Sequence, residues 1–241
     1  MRPLGGLPVL DTPHAGPRRL DLALMLVLTF TTGIVDAVGY LGLDFIFAGN
    51  MTGNVLILGM GIGKAADVPV AGPALALVMF GLGAAIGGRL LRGSPQAWGR
   101  GTTTAVAVTG AATAAAALLF VILPPDSGTS EPVAVRAVAV ALLSGAMGLQ
   151  AAAARQLGVA DVTTVVVTST LTRLFADLGS GASGLWARRA GAVVLIGAGA
   201  AVGAVLLRVH IAVALGVAAV LVLAVAGVGA APRRHGARSA A

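Results

Sequence analysis

Residues 20–43 read LDLALMLVLTFTTGIVDAVGYLGL, an apolar run in which Asp36 is the only carboxylate that lies well inside. A helix needs roughly 20 mainly apolar residues to cross a bilayer, so this run predicts a membrane span. Further apolar runs follow along the chain, at residues 45–63, 70–91, 103–123, 133–154, 162–179, 190–207 and 211–230. The pattern is typical of a polytopic membrane protein with an all-α fold.

The composition excludes the soluble classes. Of 241 residues, 57% are hydrophobic and 10% are charged, and the mean hydropathy is +0.96. A soluble domain has about 25% charged residues, so neither a soluble enzyme nor a disordered chain fits. The net charge of +7 comes mostly from arginines in short loops and tails, where they set membrane orientation and do not indicate nucleic-acid binding. Without cysteines or metal-ligand histidine spacing, no cofactor and no metal are expected.

Two of the apolar runs are atypical spans. Residues 45–54, FIFAGNMTGN, place two glycines and three polar side chains in the middle of the second run. Residues 162–173, VTTVVVTSTLTR, are rich in threonine and lead to Asp177. Irregular backbone at membrane depth is tolerated only where protein or a wet cavity covers it. We therefore expect six spans plus two re-entrant or broken segments.

Basic residues favour the same topology. If all eight runs crossed, ten basic residues would face the cytoplasm and five the outside, with Arg173 uncounted; with two re-entrant segments the numbers become twelve and three. The expected arrangement is a cytoplasmic tail at 1–19, a transmembrane domain at 20–230 and a basic cytoplasmic tail at 231–241. Both termini then lie on the cytoplasmic side of the cell (inner) membrane.

This topology relates the halves 20–123 and 133–230 by inversion. A weak sequence similarity between the two halves agrees with an inverted repeat, and chance similarity among small residues is the alternative. The matching segments are 32–33 with 144–145, at an offset of 112, and 51–54 with 167–170, at an offset of 116. Inverted repeats with two interrupted segments are typical of transporter-type binding sites.

The many glycines predict close helix packing, because small residues let backbones approach where lipid offers no hydrophobic drive. Four small-xxx-small pairs support this expectation together, although some pairs arise by chance in a chain so rich in glycine: Gly49/Gly53, Gly59/Gly63, Gly83/Gly87 and Gly199/Gly203.

One stretch also carries a resemblance. Residues 28–41, LTFTTGIVDAVGYL, followed by FAGNMTGN at 47–54, resemble the YoaK-like family of uncharacterised bacterial multi-pass membrane proteins. Residues 167–174, VTSTLTRL, are similar to the second-half motif of that family. This sequence departs from the motif at Ser169, where a glycine is usual. The resemblance covers about residues 20–230. It implies a multi-pass membrane protein and supplies neither a substrate nor functional residues.

The first half contains most candidate site residues. Asp36 should face the bundle interior, either as a proton- or cation-coupling group or as a structural hydrogen-bonding residue. Asn50, Thr52 and Asn54, beside Gly49 and Gly53, can ligate a small polar solute or a cation, or can satisfy the backbone of their own broken helix.

The second half contributes weaker candidates. Thr168, Thr170 and Thr172 share a face only in an extended segment, which hints at partial unwinding, whereas threonines in a helix often bond back to their own backbone. Arg173 and Asp177 are four residues apart, so a structural ion pair on a helix is the favoured interpretation. Gln150 is interpreted as an interhelical hydrogen-bonding residue that aids packing.

These features favour a small secondary transporter or permease with a midplane site. A channel or pore and a non-transporting scaffold or subunit are the alternatives. An enzyme is not expected, because neither paired carboxylates nor a nucleophile with its base are recognisable. The expected partners are the lipid bilayer and an unknown small polar or ionic solute; self-association into a homo-oligomer is left open, and nucleic acid is not expected.

Overall fold

The computed structural model describes residues 19–64, 68–94, 97–123, 133–158, 167–180 and 186–231, and side chains only to Asp177 within the fifth of these ranges. Over these residues the fold is all-helical, as predicted. Eight helices follow one another: α1 (Arg19–Gly42), α2 (Met51–Ile62), α3 (Ala71–Leu90), α4 (Arg100–Ile122), α5 (Val133–Leu157), α6 (Val167–Ser180), α7 (Trp186–Leu207) and α8 (Ile211–Ala230).

Six of the eight helices are long and apolar enough to cross a membrane, so the described residues contain as many candidate spans as predicted. They are α1, α3, α4, α5, α7 and α8. The 12 residues of α2 and the 14 of α6 extend about 18 and 21 Å at 1.5 Å per residue, well short of a bilayer core of roughly 30 Å. The tails at 1–18 and 232–241, the loop at 124–132 and the first residues of the threonine-rich run, 162–166, lie outside the described residues.

Close glycine crossings join the long helices in pairs. A Cβ added at Gly33 of α1 would collide with the carbonyl oxygen of Ile196 in α7, and one at Gly83 of α3 would collide with the carbonyl oxygen of Gly145 in α5. The pairs Gly83/Gly87 and Gly199/Gly203 both lie at such crossings, as expected. Gly59/Gly63 does not lie at such a crossing, because it meets no atom of another helix among the described residues.

Contacts between helix ends fix the course of the chain. Ile46, just beyond α1, packs on Gly72 at the start of α3, and Asp44 pairs with Arg136 in the first turn of α5. We call this the α2 end of the bundle. At the opposite end, here the α6 end, one buried cluster joins Leu24, Trp98, Leu157, Ala192 and Ala226. Thus α1 ends where α3 and α5 begin, and α5 ends where α7 begins.

Threonines in the bundle interior are satisfied locally. Thr29, Thr31 and Thr32 are buried, and each hydroxyl donates to a carbonyl of the preceding turn of α1 at 2.9 Å. Thr109 of α4 additionally reaches the Ala146 carbonyl of α5 at 3.2 Å. Such bonds let polar side chains lie in an apolar core without an unpaired donor.

Candidate functional site at Asp36

The segment between α1 and α2 folds back onto α1. In this return loop, residues 43–50, the amide of Phe45 donates to the Tyr40 carbonyl at 3.1 Å and that of Ile46 to the Gly39 carbonyl at 3.3 Å. A Cβ at Gly39 would collide with the Ile46 carbonyl oxygen, so glycine is required for this approach. The loop therefore lies against the last two turns of α1.

Aromatic side chains hold the return loop in place. The Tyr40 ring stacks on Phe47 at 4.9 Å between centroids and meets the edge of Phe45 at 5.3 Å. Asp44 and Phe45 have φ values of 59° and 60°, a left-handed conformation that costs energy for residues with side chains. The ring of Phe47 covers Gly53, where an added Cβ would lie 2.7 Å from ring carbons.

The return loop brings backbone N–H groups to Asp36. The amide of Gly49 donates to Asp36 Oδ1 at 2.6 Å, and the amides of Ala48 and Asn50 also interact with this carboxylate. Asn50 is the N-cap of α2, which begins at Met51. The carboxylate thus lies at the N-terminus of a helix, where unpaired N–H groups and the helix dipole favour a negative group.

The two asparagines serve the local backbone, which was one of the two predicted roles. Asn54 is fully buried; its Oδ1 accepts from the Phe47 amide at 2.9 Å and its Nδ2 donates to the Phe47 carbonyl at 2.6 Å. Asn50 Oδ1 accepts from the Gly53 amide at 3.2 Å. Thr52 and Asn50 are both exposed, so of the three polar side chains only Asn54 lies in the core.

Gln150 extends this polar site from α1 to α5. Its Nε2 donates to Thr32 Oγ1 at 3.0 Å, and Thr32 lies one helical turn from Asp36 on the same face of α1. This interhelical bond is the role predicted for Gln150. Among the described residues no group of three acidic, histidine or cysteine side chains could hold a metal ion.

The threonines of α6 lie elsewhere. Residues 167–172 are α-helical, so the hint of an unwound segment was wrong for this part of the run. Thr172 Oγ1 donates back to the Thr168 carbonyl at 3.0 Å; both threonines are exposed, whereas Thr170 is buried. Within the described residues α6 packs on α7 and does not reach Asp36.

An arginine of α7 takes part in an ion pair that the sequence did not predict. Arg189, which is buried, pairs with Asp177 of α6, and its Nη1 lies 3.4 Å from the Arg173 carbonyl oxygen. The sequence signal was the Arg188-Arg189 doublet at the start of a span, which entered the sequence analysis only as part of the count of cytoplasmic basic residues. The pair ties α6 to α7 and is separate from the Asp36 site.

Comparison with known proteins assigns the family. The family described as "Protein of unknown function (DUF1275)" matches residues 24–228, most of the chain. The chain belongs to this family. It is also 37% identical over 156 residues to the UPF0700 transmembrane protein YoaK of Bacillus subtilis (strain 168), a match that covers 64% of this chain and 66% of the relative, slightly under two thirds. No solved structure matches significantly. The resemblance to YoaK-like proteins is thereby confirmed, and the DUF1275 match includes Asp36, the return loop and Gln150.

Proposed function

We propose that this member of the DUF1275 family is a small secondary transporter or permease of the cell membrane, with its solute site at Asp36. The observation that carries the proposal is the arrangement around this carboxylate. A long helix, α1, contributes an acidic group, and an unwound loop and a half-length helix, α2, end on it. Secondary transporters form their sites from interrupted helices of this kind, whose termini and unwound backbone bind solutes and coupling ions.

The proposal includes two re-entrant segments. Helix α1 ends and α3 begins at the α2 end, and α2 between them is too short to cross. Likewise α5 ends and α7 begins at the α6 end, and α6 between them is too short to cross. Both features support segments that enter the membrane and return on the same side.

The proposal also includes an inverted repeat, which matched glycine contacts support. Residues of α1 and α5 correspond at an offset of 115, and residues of α3 and α7 at an offset of 116. The contact of Gly33 with Ile196 and Ala200 corresponds to that of Gly148 with Phe80 and Ala84. The contact of Gly199 with Phe30 corresponds to that of Gly83 with Gly145. The contact of Gly203 with Ile34 and Ala37 corresponds to that of Gly87 with Leu149 and Ala152. Since α1 and α5 run in opposite directions, the operation that relates the halves inverts them across the membrane.

Charge supports a cytoplasmic α6 end. Eight of the eleven described basic residues lie there, and three lie at the α2 end: Lys64, Arg136 and Arg208. Positive residues accumulate on the cytoplasmic side of membrane proteins. Both termini then face the cytoplasm, and the return loop and α2 enter from outside.

Cysteine labelling tests this orientation. The chain has no native cysteine, so Val209→Cys in the exposed turn between α7 and α8 and Arg92→Cys in the exposed turn after α3 each provide one reactive thiol. We expect an impermeant maleimide to label Val209→Cys in intact cells and Arg92→Cys only after permeabilisation. Reversed labelling would contradict the orientation, and labelling of both variants in intact cells would contradict the six-span topology.

Asp36→Asn tests the transport role. Asparagine keeps the shape of the side chain and an acceptor for the Gly49 amide, but removes the titratable charge. In proteoliposomes containing a pH-sensitive dye, screened against amino acids, sugars, organic cations and inorganic ions, we expect saturable, gradient-driven uptake by the wild-type protein. Asp36→Asn should fold and lose gradient-driven accumulation.

The outcomes separate the alternatives. Full accumulation by Asp36→Asn would limit Asp36 to a structural role, in which case Asp36→Leu should lower the thermal stability. Flux without saturation or coupling would instead indicate a channel. The absence of flux with every solute class, together with a co-purifying partner, would indicate a scaffold.

A further inference from the structure

A crevice of about 400 Å³ lies between helix ends at the α2 end of the bundle. The return loop supplies one wall, and the first turns of α3 and α5 supply the others. Its apolar walls include Ile46, Leu75 and Val140, and the charged residues that line it are Asp44 and Arg136. Ligand sites have volumes of about 300–1,000 Å³ and combine apolar walls with a few polar groups, so this crevice has the size and lining of a ligand site.

The charged groups lie at the mouth of the crevice, and the apolar groups lie deeper. Arg136 is in the first turn of α5, and Val140 lies on the same face of that helix, about 6 Å further along its axis. Val140 is buried, whereas the side chain of Asp44 is 56% exposed and Val133, at the rim, is 82% exposed. A molecule that fits this crevice therefore has a charged head and an apolar tail.

The position of the crevice indicates where such a molecule comes from. Both α3 and α5 are candidate spans that begin at this end of the bundle. The ends of spans lie where the hydrocarbon core of the bilayer meets the head groups. The amphipathic molecule that surrounds a protein at this depth is a phospholipid, and an apolar crevice favours an acyl chain over water.

The ion pair at the mouth is complementary to a zwitterionic head group. A guanidinium binds phosphate through parallel N–H donors, and a carboxylate accepts from a primary ammonium. Because a guanidinium has five donors and a carboxylate two oxygens, Arg136 and Asp44 can bind both groups and stay paired with each other. Ethanolamine phosphate carries both groups. A choline head group has no N–H to donate, and a glycerol head group has no cation.

We propose that this crevice binds one phosphatidylethanolamine molecule, with its phosphate on Arg136, its ammonium on Asp44 and the start of one acyl chain against the apolar wall. The ion pair is neutral as a whole, so a zwitterion adds no net charge in a region that is costly for unpaired charge. The bound lipid joins the return loop to α3 and α5. The site does not depend on transport, so its test is separate from that of the proposed function.

Thermal unfolding with lipids of identical acyl chains tests the site. The purified full-length protein in detergent receives phosphatidylethanolamine, phosphatidylcholine or phosphatidylglycerol at equal mole fraction. A ligand of the folded state raises stability by mass action, so we expect phosphatidylethanolamine to raise the Tm above its value with either other lipid. Glycerophosphoethanolamine, the head group without acyl chains, should leave the Tm unchanged at the same concentration.

Substitutions at the ion pair separate its two roles. Arg136→Gln removes the phosphate ligand and should abolish the lipid-dependent shift. Asp44→Asn should instead remove the preference for phosphatidylethanolamine over phosphatidylglycerol, because the guanidinium still binds phosphate while the amide no longer attracts an ammonium. Arg208→Gln is the matched control, since Arg208 is exposed at the same end of the bundle but outside this crevice. It should retain the wild-type preference.

Ala137→Phe tests the acyl-chain part of the site and keeps the ion pair, so it also serves if Arg136→Gln does not fold. Ala137 lines the crevice, and a phenyl ring there takes the space of the chain. Ala134→Phe, at an exposed position outside the crevice, is its control and should retain the preference.

Four results would overturn the proposal. They are an equal Tm in the three lipids, a larger shift with phosphatidylglycerol than with phosphatidylethanolamine, an unchanged preference in Ala137→Phe, and a shift with glycerophosphoethanolamine equal to that with the intact lipid. The second would indicate a general attraction of anionic lipid to a basic protein, and the last a site for the free head group.

Discussion

Gly199→Ala should greatly reduce the amount of folded protein that remains after heating, although it adds only one methyl group. The Cβ would collide with the carbonyl oxygen of Phe30 in α1, and a backbone atom cannot rotate away as the end of a side chain can. Helices α1 and α7 would have to separate along their whole contact. Overpacking a well-packed interior costs about 1–3 kcal/mol where side chains can adjust, and we expect the upper part of that range or more here. Size-exclusion chromatography after heating measures the loss.

Gly197→Ala is the matched control, two residues away on the same helix. No described atom lies within 4 Å of the Cβ that this substitution adds, and alanine favours a helix over glycine by about 1 kcal/mol. We expect stability equal to or above that of the wild-type protein. If Gly199→Ala were as stable as Gly197→Ala, the α1–α7 crossing would not have the described geometry.

The same comparison exists in the other half of the chain. Gly83 and Gly81 of α3 lie at an offset of 116 from Gly199 and Gly197. A Cβ at Gly83 would collide with a backbone oxygen, as at Gly199, and a Cβ at Gly81 would meet no described atom within 4 Å, as at Gly197. Gly83→Ala should therefore be as harmful as Gly199→Ala, and Gly81→Ala as harmless as Gly197→Ala. Unequal losses at the two crossings would argue against equivalent halves.

The spans could be predicted from sequence because lipid imposes one strong rule, a sufficient apolar length. The register of the proposed repeat could not be predicted. The weak sequence similarity aligned Thr32-Gly33 with Ser144-Gly145 at an offset of 112, whereas the glycine contacts align Gly33 with Gly148, at an offset of 115. The sequence similarity matched residue types in the two halves, but only the facing helix determines which glycine lies at a helix crossing.

The site was predicted in part for a similar reason. A carboxylate inside an apolar run must find partners, so Asp36 and the polar residues that follow were identifiable from sequence. The groups that reach Asp36 are backbone amides of the return loop, which carry no sequence signal of their own. The Arg189–Asp177 pair was missed because an arginine at the end of a span fits membrane anchoring equally well.

Asn54→Leu should detach the return loop, because Asn54 is the side chain that pairs with both polar backbone groups of Phe47. Leucine has nearly the same size, so the change removes hydrogen bonds and adds little strain. Two partly buried backbone groups would lose their partners, at up to about 1–3 kcal/mol each, and lipid offers no water to replace them. We therefore expect a loss of several kcal/mol, the second largest effect predicted for this protein. Hydrogen–deuterium exchange of residues 43–54 should increase, together with a lower Tm.

Asn54→Asp and Thr52→Val make the test specific to the pair of hydrogen bonds. Aspartate can still accept from the Phe47 amide, but it places a second acceptor against the Phe47 carbonyl, so it should be no better than leucine. Thr52 lies two residues away on α2 and is exposed, so Thr52→Val should exchange and unfold like the wild-type protein. Unchanged exchange in Asn54→Leu would mean that the aromatic contacts of Tyr40 and Phe47 hold the loop without Asn54. The position of Asp36 at the N-terminus of α2 would then depend on packing, and its carboxylate would keep its backbone donors.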